Sequence, residues 1–117
     1  MENNETTAKY ILELLRYQPI IVMSWGLDPQ SLRIAEADGM TGLQFSVNGF
    51  KHKGKVQVLY NEGQDLFEIR LLSEDGTILT KKEEVYFDEL VNIIDMLVER
   101  TDNYAESVMQ EYGFSQC

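Results

Sequence analysis

This 117-residue chain contains few of the residues that catalytic sites and cross-linked folds commonly use. It has one cysteine, Cys117, and one histidine, His52. A single cysteine excludes an intrachain disulfide, and the shortage of both residue types excludes the usual zinc sites. No nucleophile elbow G-x-S-x-G and no complete glycine-rich phosphate loop occurs, so the common hydrolase and nucleotide-binding motifs are absent.

Long apolar runs and a basic charge balance are also missing. No apolar stretch approaches the ~20 residues that cross a bilayer, and the acidic segment Met1–Glu5 is unlike a signal peptide. We therefore expect a cytoplasmic protein without a membrane partner. Twenty acids against ten Lys and Arg give a net charge of −10. This charge disfavours direct nucleic-acid binding and favours a basic protein partner.

The apolar pattern predicts one domain over residues 1–117, with flexible tails at 1–5 and 114–117. Ile11, Leu14 and Leu15 follow helical spacing within a first helix from about Thr7 to Tyr17. Thr6 or Thr7 is the expected N-cap, and Pro19 is expected to end the helix. The β-branched run 20–23 after it predicts a short strand, either buried on both faces or at a sheet edge under a helix.

Turn signals divide residues 38–79 into short antiparallel strands. Asn48-Gly49 and Asp75-Gly76 each lie between alternating apolar and polar residues, a pattern typical of β-hairpins, and Asp38-Gly39 is another turn signal. A two-residue Asn48-Gly49 turn predicts Phe45 opposite His52 and one strand over 50–60, bent at Gly54. Ser31–Ala37 fits either a strand or a helical turn.

Two registers compete for the last hairpin. A two-residue loop places Arg70 opposite Lys81 and Glu68 opposite Glu83. A three-residue loop places Glu68 opposite Lys82 and Leu71 opposite Leu79. Because facing like charges destabilise a strand pair, the second register is preferred.

A long C-terminal helix with opposed apolar and acidic faces is predicted from Asp88, its expected N-cap, to Gly113, its expected end. Thr101–Asn103 is expected to bend or break it. The predicted fold class is therefore α+β: an antiparallel meander of four or five strands, with the N-terminal and C-terminal helices on one face.

The acidic helix face is the sharpest candidate site. Five carboxylates lie along it: Asp88, Asp95, Glu99, Asp102 and Glu106. Their helical spacing places them roughly 4–10 Å apart, a row that loosely imitates DNA phosphates. The alternative is an ordinary solvated face of an amphipathic helix.

Other chemistry-bearing residues favour structural roles. His52 lies on the inward face of its predicted strand and is expected to be a structural histidine rather than a general base. The carboxylates of Glu62, Asp65 and Glu68 fit a solvated turn better than a cation site. Trp25 is expected in the core. The lysines Lys51, Lys53 and Lys55 either contact phosphates or protect an exposed sheet.

Four short segments resemble a pattern found in small uncharacterised proteins of bacterial phages and mobile elements. They are Met23-Ser24-Trp25-Gly26, Leu43-Gln44-Phe45, Val56–Asn61 and Asp65–Leu71. The resemblance spans about residues 11–98 and implies a helix–sheet–helix domain, without an activity or catalytic residues.

The resulting hypothesis is a non-enzymatic protein-interaction module without a cofactor or metal, which forms a homodimer or binds another protein. Its partner is expected at an exposed strand edge or at a helix flank bearing Met96 and Met109. The alternative is an acidic inhibitor that mimics nucleic acid through the carboxylate row. An enzyme using His52 or the carboxylates near residue 65 is the third hypothesis.

Overall fold

The computed structural model describes residues 4–99, and it confirms the α+β class. Its helices and strands, in chain order, are α1 (Asn4–Arg16), α2 (Pro19–Ser24), β1 (Arg33–Ala37), β2 (Met40–Asn48), β3 (Lys53–Asn61), β4 (Leu66–Leu72), β5 (Ile78–Val85) and α3 (Leu90–Val98). Short 3₁₀ turns at Pro29–Ser31 and Phe87–Glu89 precede β1 and α3. The five strands form one antiparallel sheet in the order β1-β2-β3-β4-β5, which is the predicted meander.

One hydrophobic core lies between the sheet and the helices. Ile11 of α1, Phe45 of β2, Ile69 of β4 and Ile94 of α3 are all fully buried in it. Because apolar side chains recur at helical spacing in α1 and α3 and at alternate positions in the strands, one face of each element turns to this core. Each fully buried Ile or Phe contributes about 1.5–3 kcal/mol through the hydrophobic effect.

The segment around Pro19 differs from the prediction. Helix α1 begins at Asn4 rather than near Thr7, so Thr7 is a buried helical residue and not a cap. Residues 20–23 form helix α2 instead of a strand, with Pro19 in its first turn. Proline is favoured in the first turn of a helix because it lacks a backbone N–H and its φ is fixed near the helical value. The run is not buried either, since Ile20 is 82% exposed.

The open question at residues 31–37 resolves to strand β1. A two-residue turn, Asp38-Gly39, joins it to β2, with Ala37 opposite Met40. Both turn residues have positive φ, 52° and 79°. This conformation suits a hairpin, and Asp and Gly tolerate it better than most residues.

The predicted register at Asn48-Gly49 is wrong. Asn48 pairs with Lys53 and Phe45 with Val56, so the connection is the four-residue loop 49–52. The loop amides of Lys51 and His52 donate to the carbonyl oxygen of Val98, at 2.8 and 3.2 Å. The loop therefore binds the end of α3. Turn rules consider only neighbouring residues, so they cannot detect a contact with such a distant segment.

The last hairpin combines both registers that the sequence allowed. Arg70 lies opposite Lys81, as in the rejected alternative, and Leu71 lies opposite Thr80 rather than Leu79. Leu72 pairs with Ile78, and register shifts occur on either side of the central pairs. The preferred register is thus wrong over most of the hairpin.

Helix α3 is shorter at its start than predicted. Asp88 lies within the 3₁₀ turn, and Glu89 occupies the N-cap position of α3 without a side-chain cap. The predicted break at Thr101–Asn103, the end at Gly113 and the tail at 114–117 lie outside the described residues. Within residues 4–99, none of the helices combines the length and apolar character that a membrane span requires.

Candidate functional site

The predicted acidic row is not a set of free carboxylates. Asp88 is exposed, but Asp95 is half-buried, and its Oδ1 accepts a hydrogen bond from Trp25 Nε1 at 3.0 Å. The Glu99 Oε2 accepts one from the backbone N–H of Phe50 at 2.9 Å. Asp102 and Glu106 lie outside the described residues. Of the three described carboxylates, two therefore contribute to holding the fold together.

Trp25 connects this region to the core. The side chain is fully buried, as predicted, and its ring stacks on Phe45 with ring centroids 6.4 Å apart and an interplanar angle of 7°. The indole N–H needs a polar partner in such a site, and Asp95 provides it. This arrangement gives Asp95 a structural role.

The loop 49–52 holds the next group of candidates. His52 is 7% exposed, and its Nε2 lies 3.0 Å from the carbonyl oxygen of Lys55. Since a carbonyl oxygen only accepts, Nε2 carries the proton and donates this bond. The Lys51 Nζ donates to the Met96 carbonyl oxygen at 2.5 Å, while Lys53 and Lys55 belong to β3. Lys51 is thus bound to α3, whereas Lys53 and Lys55 lie on β3.

Gly49 completes the junction between this loop and α3. A Cβ placed on Gly49 would lie 2.5 Å from Val98 Cγ1, so only glycine allows the loop to approach α3 this closely. The junction is a structural contact that closes the domain.

Two of the three carboxylates near residue 65, those of Asp65 and Glu68, have separate partners. Asp65 Oδ1 accepts a hydrogen bond from Tyr60 Oη at 2.5 Å, which raises the pKa of Tyr60. Glu68 lies on β4, where it pairs with Arg70. Among residues 4–99 no group of three His, Cys, Asp or Glu side chains is arranged to hold a metal ion.

Arg70 forms a charge cluster that the sequence analysis did not identify. Its guanidinium is 4% exposed and donates Nε to Glu68 Oε2 and Nη2 to Asp38 Oδ2, both at 2.5 Å. Burial alone would lower the pKa of Arg70, but the two carboxylates raise it; in return, Arg70 lowers the pKa of Asp38. The sequence did contain a signal for the Glu68–Arg70 pair, because residues i and i+2 of a strand lie on the same face of the sheet.

A depression of about 430 Å³ opens beside this cluster, at the tip of the β1–β2 hairpin. Its wall is the segment Glu36–Thr41. One hairpin lines it, and the Asp38 carboxylate is already paired with Arg70, so it presents no set of converging reactive groups.

The outer edge of β5 is the most exposed part of the sheet. Every residue from Ile78 to Glu84 is exposed, although Thr80 and Lys82 lie opposite the buried core residues Leu71 and Ile69. Within residues 4–99 the helices thus do not cover β5. We name the segment Ile78–Phe87 the β5 edge.

The composition of the β5 edge is ordered along the chain. An apolar pair, Ile78-Leu79, comes first, then the basic pair Lys81-Lys82, the acidic pair Glu83-Glu84 and the aromatic pair Tyr86-Phe87. The exposed fractions of the four apolar residues are 46%, 59%, 59% and 59%. Large apolar side chains exposed together are typical of interaction sites.

The charged residues of the β5 edge have no ion pair to one another or to other residues within 4–99. The ion pairs of that part of the chain are Lys9–Glu5 and the two that Arg70 forms. Lys81 helps to lower the pKa of Asp38 without forming an ion pair with it, so a partner that binds these four charges has no ion pair within residues 4–99 to break. Comparison of the chain with protein-family models, curated proteins and solved structures gives no match.

Proposed function

We propose that this protein is a small non-enzymatic interaction module that binds a protein partner through the β5 edge. The observation that carries the proposal is the exposure of Ile78–Glu84 on both faces of the sheet. The outer side of an edge strand presents unpaired backbone N–H and C=O groups, to which an extended segment of another chain can pair.

Side chains supply the specificity of this contact. The two register shifts between β4 and β5 interrupt the regular ladder, and Glu84 has a positive φ of 57°. Such bulges bend a strand and limit the length of any added strand. Recognition then depends on the charged centre of the β5 edge and on its apolar ends. Because the bulged edge accepts only a short added strand, it is protected from indefinite aggregation.

The chemistry of the remaining candidates supports an interaction role over catalysis. The ring of His52 donates to a backbone carbonyl, and Glu68 is paired with Arg70. Hydrogen bonds of this kind hold groups in place rather than direct them at a substrate. The resemblance of residues 11–98 to small proteins of phages and mobile elements suggests such an element as the setting.

Site-specific photo-crosslinking tests the proposal. A photoreactive residue at Leu79 is expected to give an adduct of discrete mass in cells that make the protein. The adduct is expected to disappear when Glu83→Lys and Glu84→Lys are added. Phe50, which is 74% exposed but lies in the loop 49–52, is the matched control position.

Two results would contradict the proposal. One is the absence of any adduct at Leu79, and the other is an adduct that survives both charge changes. Equal labelling from Phe50 would indicate nonspecific contact and would count against the β5 edge in the same way.

The acidic mimic of nucleic acid is the second candidate function. The net charge of −10 and the exposed Asp88 favour it. We infer that Asp95 and Glu99 contribute less to it than the pattern suggests, since both accept hydrogen bonds from within the domain.

A displacement assay tests the mimic hypothesis without disturbing those bonds. The protein is expected to displace host DNA-binding proteins from a duplex-DNA column, with a strong dependence on salt. Charge reversal at Asp88, Asp102 and Glu106 is expected to abolish the displacement. A wild-type protein that displaces nothing would exclude this function.

A further inference from the structure

We propose that the partner of the β5 edge is a second copy of this chain, in an antiparallel twofold dimer. This inference rests on the proposed function, because it names the occupant of the same edge. Its basis is the order of side chains along the edge, which becomes complementary to itself when reversed.

The charged centre gives the first part of the argument. In an antiparallel arrangement the basic pair Lys81-Lys82 of one copy lies beside the acidic pair Glu83-Glu84 of the other, and twofold symmetry repeats the contact. All four residues are exposed, and within residues 4–99 they have no ion pair that a partner would have to break. Opposite charges across strands stabilise pairing.

The apolar ends give the second part. The same reversal places Ile78-Leu79 of one copy beside Tyr86-Phe87 of the other, so side chains that are 46–59% exposed in one chain are covered in two. A parallel arrangement would instead set lysine beside lysine and glutamate beside glutamate. The sequence of the edge therefore selects the antiparallel orientation.

Symmetry also limits the register. A twofold axis normal to a sheet passes between two copies of the same residue, because paired residues must share a face. An axis at Lys82 sets Lys81 opposite Glu83 of the second copy, both before the bulge at Glu84, and an axis at Glu83 sets Lys82 beside the bulged Glu84. Each register forms two Lys–Glu pairs and leaves one like-charge pair at the axis.

Charge-block variants test the dimer by sedimentation velocity over a wide range of protein concentration. The basic block carries Glu83→Lys and Glu84→Lys, and the acidic block carries Lys81→Glu and Lys82→Glu. Each block sets like charges opposite each other and is expected to weaken the dimer by at least about tenfold. An equimolar mixture of the two blocks is expected to restore it.

A variant with all four substitutions is the matched control. It reverses the order of the charges but keeps them self-complementary, so it is expected to dimerise like the wild type. Thermal unfolding of each variant verifies that the domain still folds.

Cysteine scanning locates the axis and requires one substitution at a time in a Cys117→Ser background. Lys82→Cys or Glu83→Cys is expected to form an interchain disulfide fastest, since facing Cα atoms about 4.5–5.5 Å apart suit a disulfide. Phe50→Cys is the exposed control and is expected to stay reduced.

The results separate this inference from the proposed function. A wild-type protein that stays monomeric, a dimer insensitive to the blocks, or blocks that fail to restore each other would overturn the self-pairing. A Leu79 crosslink to a different protein would then still support the β5 edge as a binding site. A crosslinked product of twice the chain mass, lost in either block, would support both.

Discussion

Strands β4 and β5 are neighbours in one sheet, yet charged and apolar side chains are buried on β4 and exposed on β5. Every residue of β4 from Phe67 to Leu72 is buried, and every residue of β5 from Ile78 to Glu84 is exposed. Arg70 and Lys81 face each other across the pair. One is enclosed by two carboxylates, and the other has no ion pair within residues 4–99.

Coverage explains this difference better than residue type. Strand β4 has a neighbour on each side, the core on one face, and on the other face the β1–β2 turn, whose Asp38 reaches Arg70. Among residues 4–99, no helix covers strand β5 and β4 is its one neighbouring strand. The same kinds of side chain thus stabilise the fold on β4 and are exposed on β5.

The largest expected effect comes from the facing cations. Arg70→Met leaves the Glu68 carboxylate, 11% exposed, without its partner, and is expected to reduce the free energy of unfolding by about 3–5 kcal/mol. Lys81→Met at the facing position is expected to change it by less than about 0.5 kcal/mol. Denaturant unfolding measures both changes. Equal losses would contradict the difference between the buried cation on β4 and the exposed cation on β5.

Leucine truncation sharpens the contrast for apolar residues. Leu71 is 5% exposed in the core, and Leu71→Ala is expected to cost about 3 kcal/mol through lost burial and a cavity. Leu79 is 59% exposed, and Leu79→Ala is expected to cost about 0.5 kcal/mol in the monomer. Unfolding below the dimerisation range checks this, and a large loss for Leu79 would indicate hidden coverage of β5.

The bulge in β5 is expected to make two neighbouring glycine substitutions differ in stability, by less than the two pairs of variants above. Glu84 has a φ of 57°, a conformation that glycine adopts without strain, whereas the φ of Glu83 is not positive. Glu83→Gly is therefore expected to be less stable than Glu84→Gly by about 1 kcal/mol. Each variant removes one charge, so thermal unfolding compares the backbone alone. The reverse order would show that the bulge is absent in solution.

The smallest expected effect is a pH dependence in the turn that joins β4 to β5. Hydrogen bonds from Ser73 Oγ and from the Thr77 amide lower the pKa of Asp75 from 3.8 to about 2. Because the folded value lies below the unfolded one, the stabilisation is present above pH 3.8 and is lost as the pH falls toward 2.

Asp75→Asn is expected to remove that part of the acid dependence, with Glu74→Gln as the control for one lost charge in the same turn. The free energy of unfolding as a function of pH measures the effect. Identical acid profiles for the wild type and Asp75→Asn would contradict the assignment.

Local patterns predicted those features that depend on neighbouring residues. Phe67, Ile69 and Leu71 lie on the core face as expected, and the turn expected at Asp38-Gly39 is present, within a hairpin that the sequence had left open. The wrong register at Asn48-Gly49 did not disturb the facing of β3, because pairing Phe45 with Val56 rather than His52 is a shift of four residues. An even shift keeps every side chain on its face.

Contacts between distant residues explain the errors. Like-charge repulsion between Arg70 and Lys81 argued against the observed register, but Glu68 and Asp38 surround that guanidinium with negative charge. The apolar run 20–23 suggested burial, whereas Trp25 just after it occupies the core. Likewise, nothing near Asp95 in the sequence indicates that it accepts a hydrogen bond from a residue 70 positions away.

The contact of the loop 49–52 with the end of α3 has a consequence for how the chain folds as it is synthesised. The backbone N–H of Phe50 and its acceptor Glu99 are 49 positions apart, so β2 and the loop are synthesised well before that acceptor exists. Domains generally fold as units, so the domain is complete only when α3 has emerged. The loop amides therefore stay hydrated until α3 has left the ribosome. Packing of that helix against the loop then completes the domain.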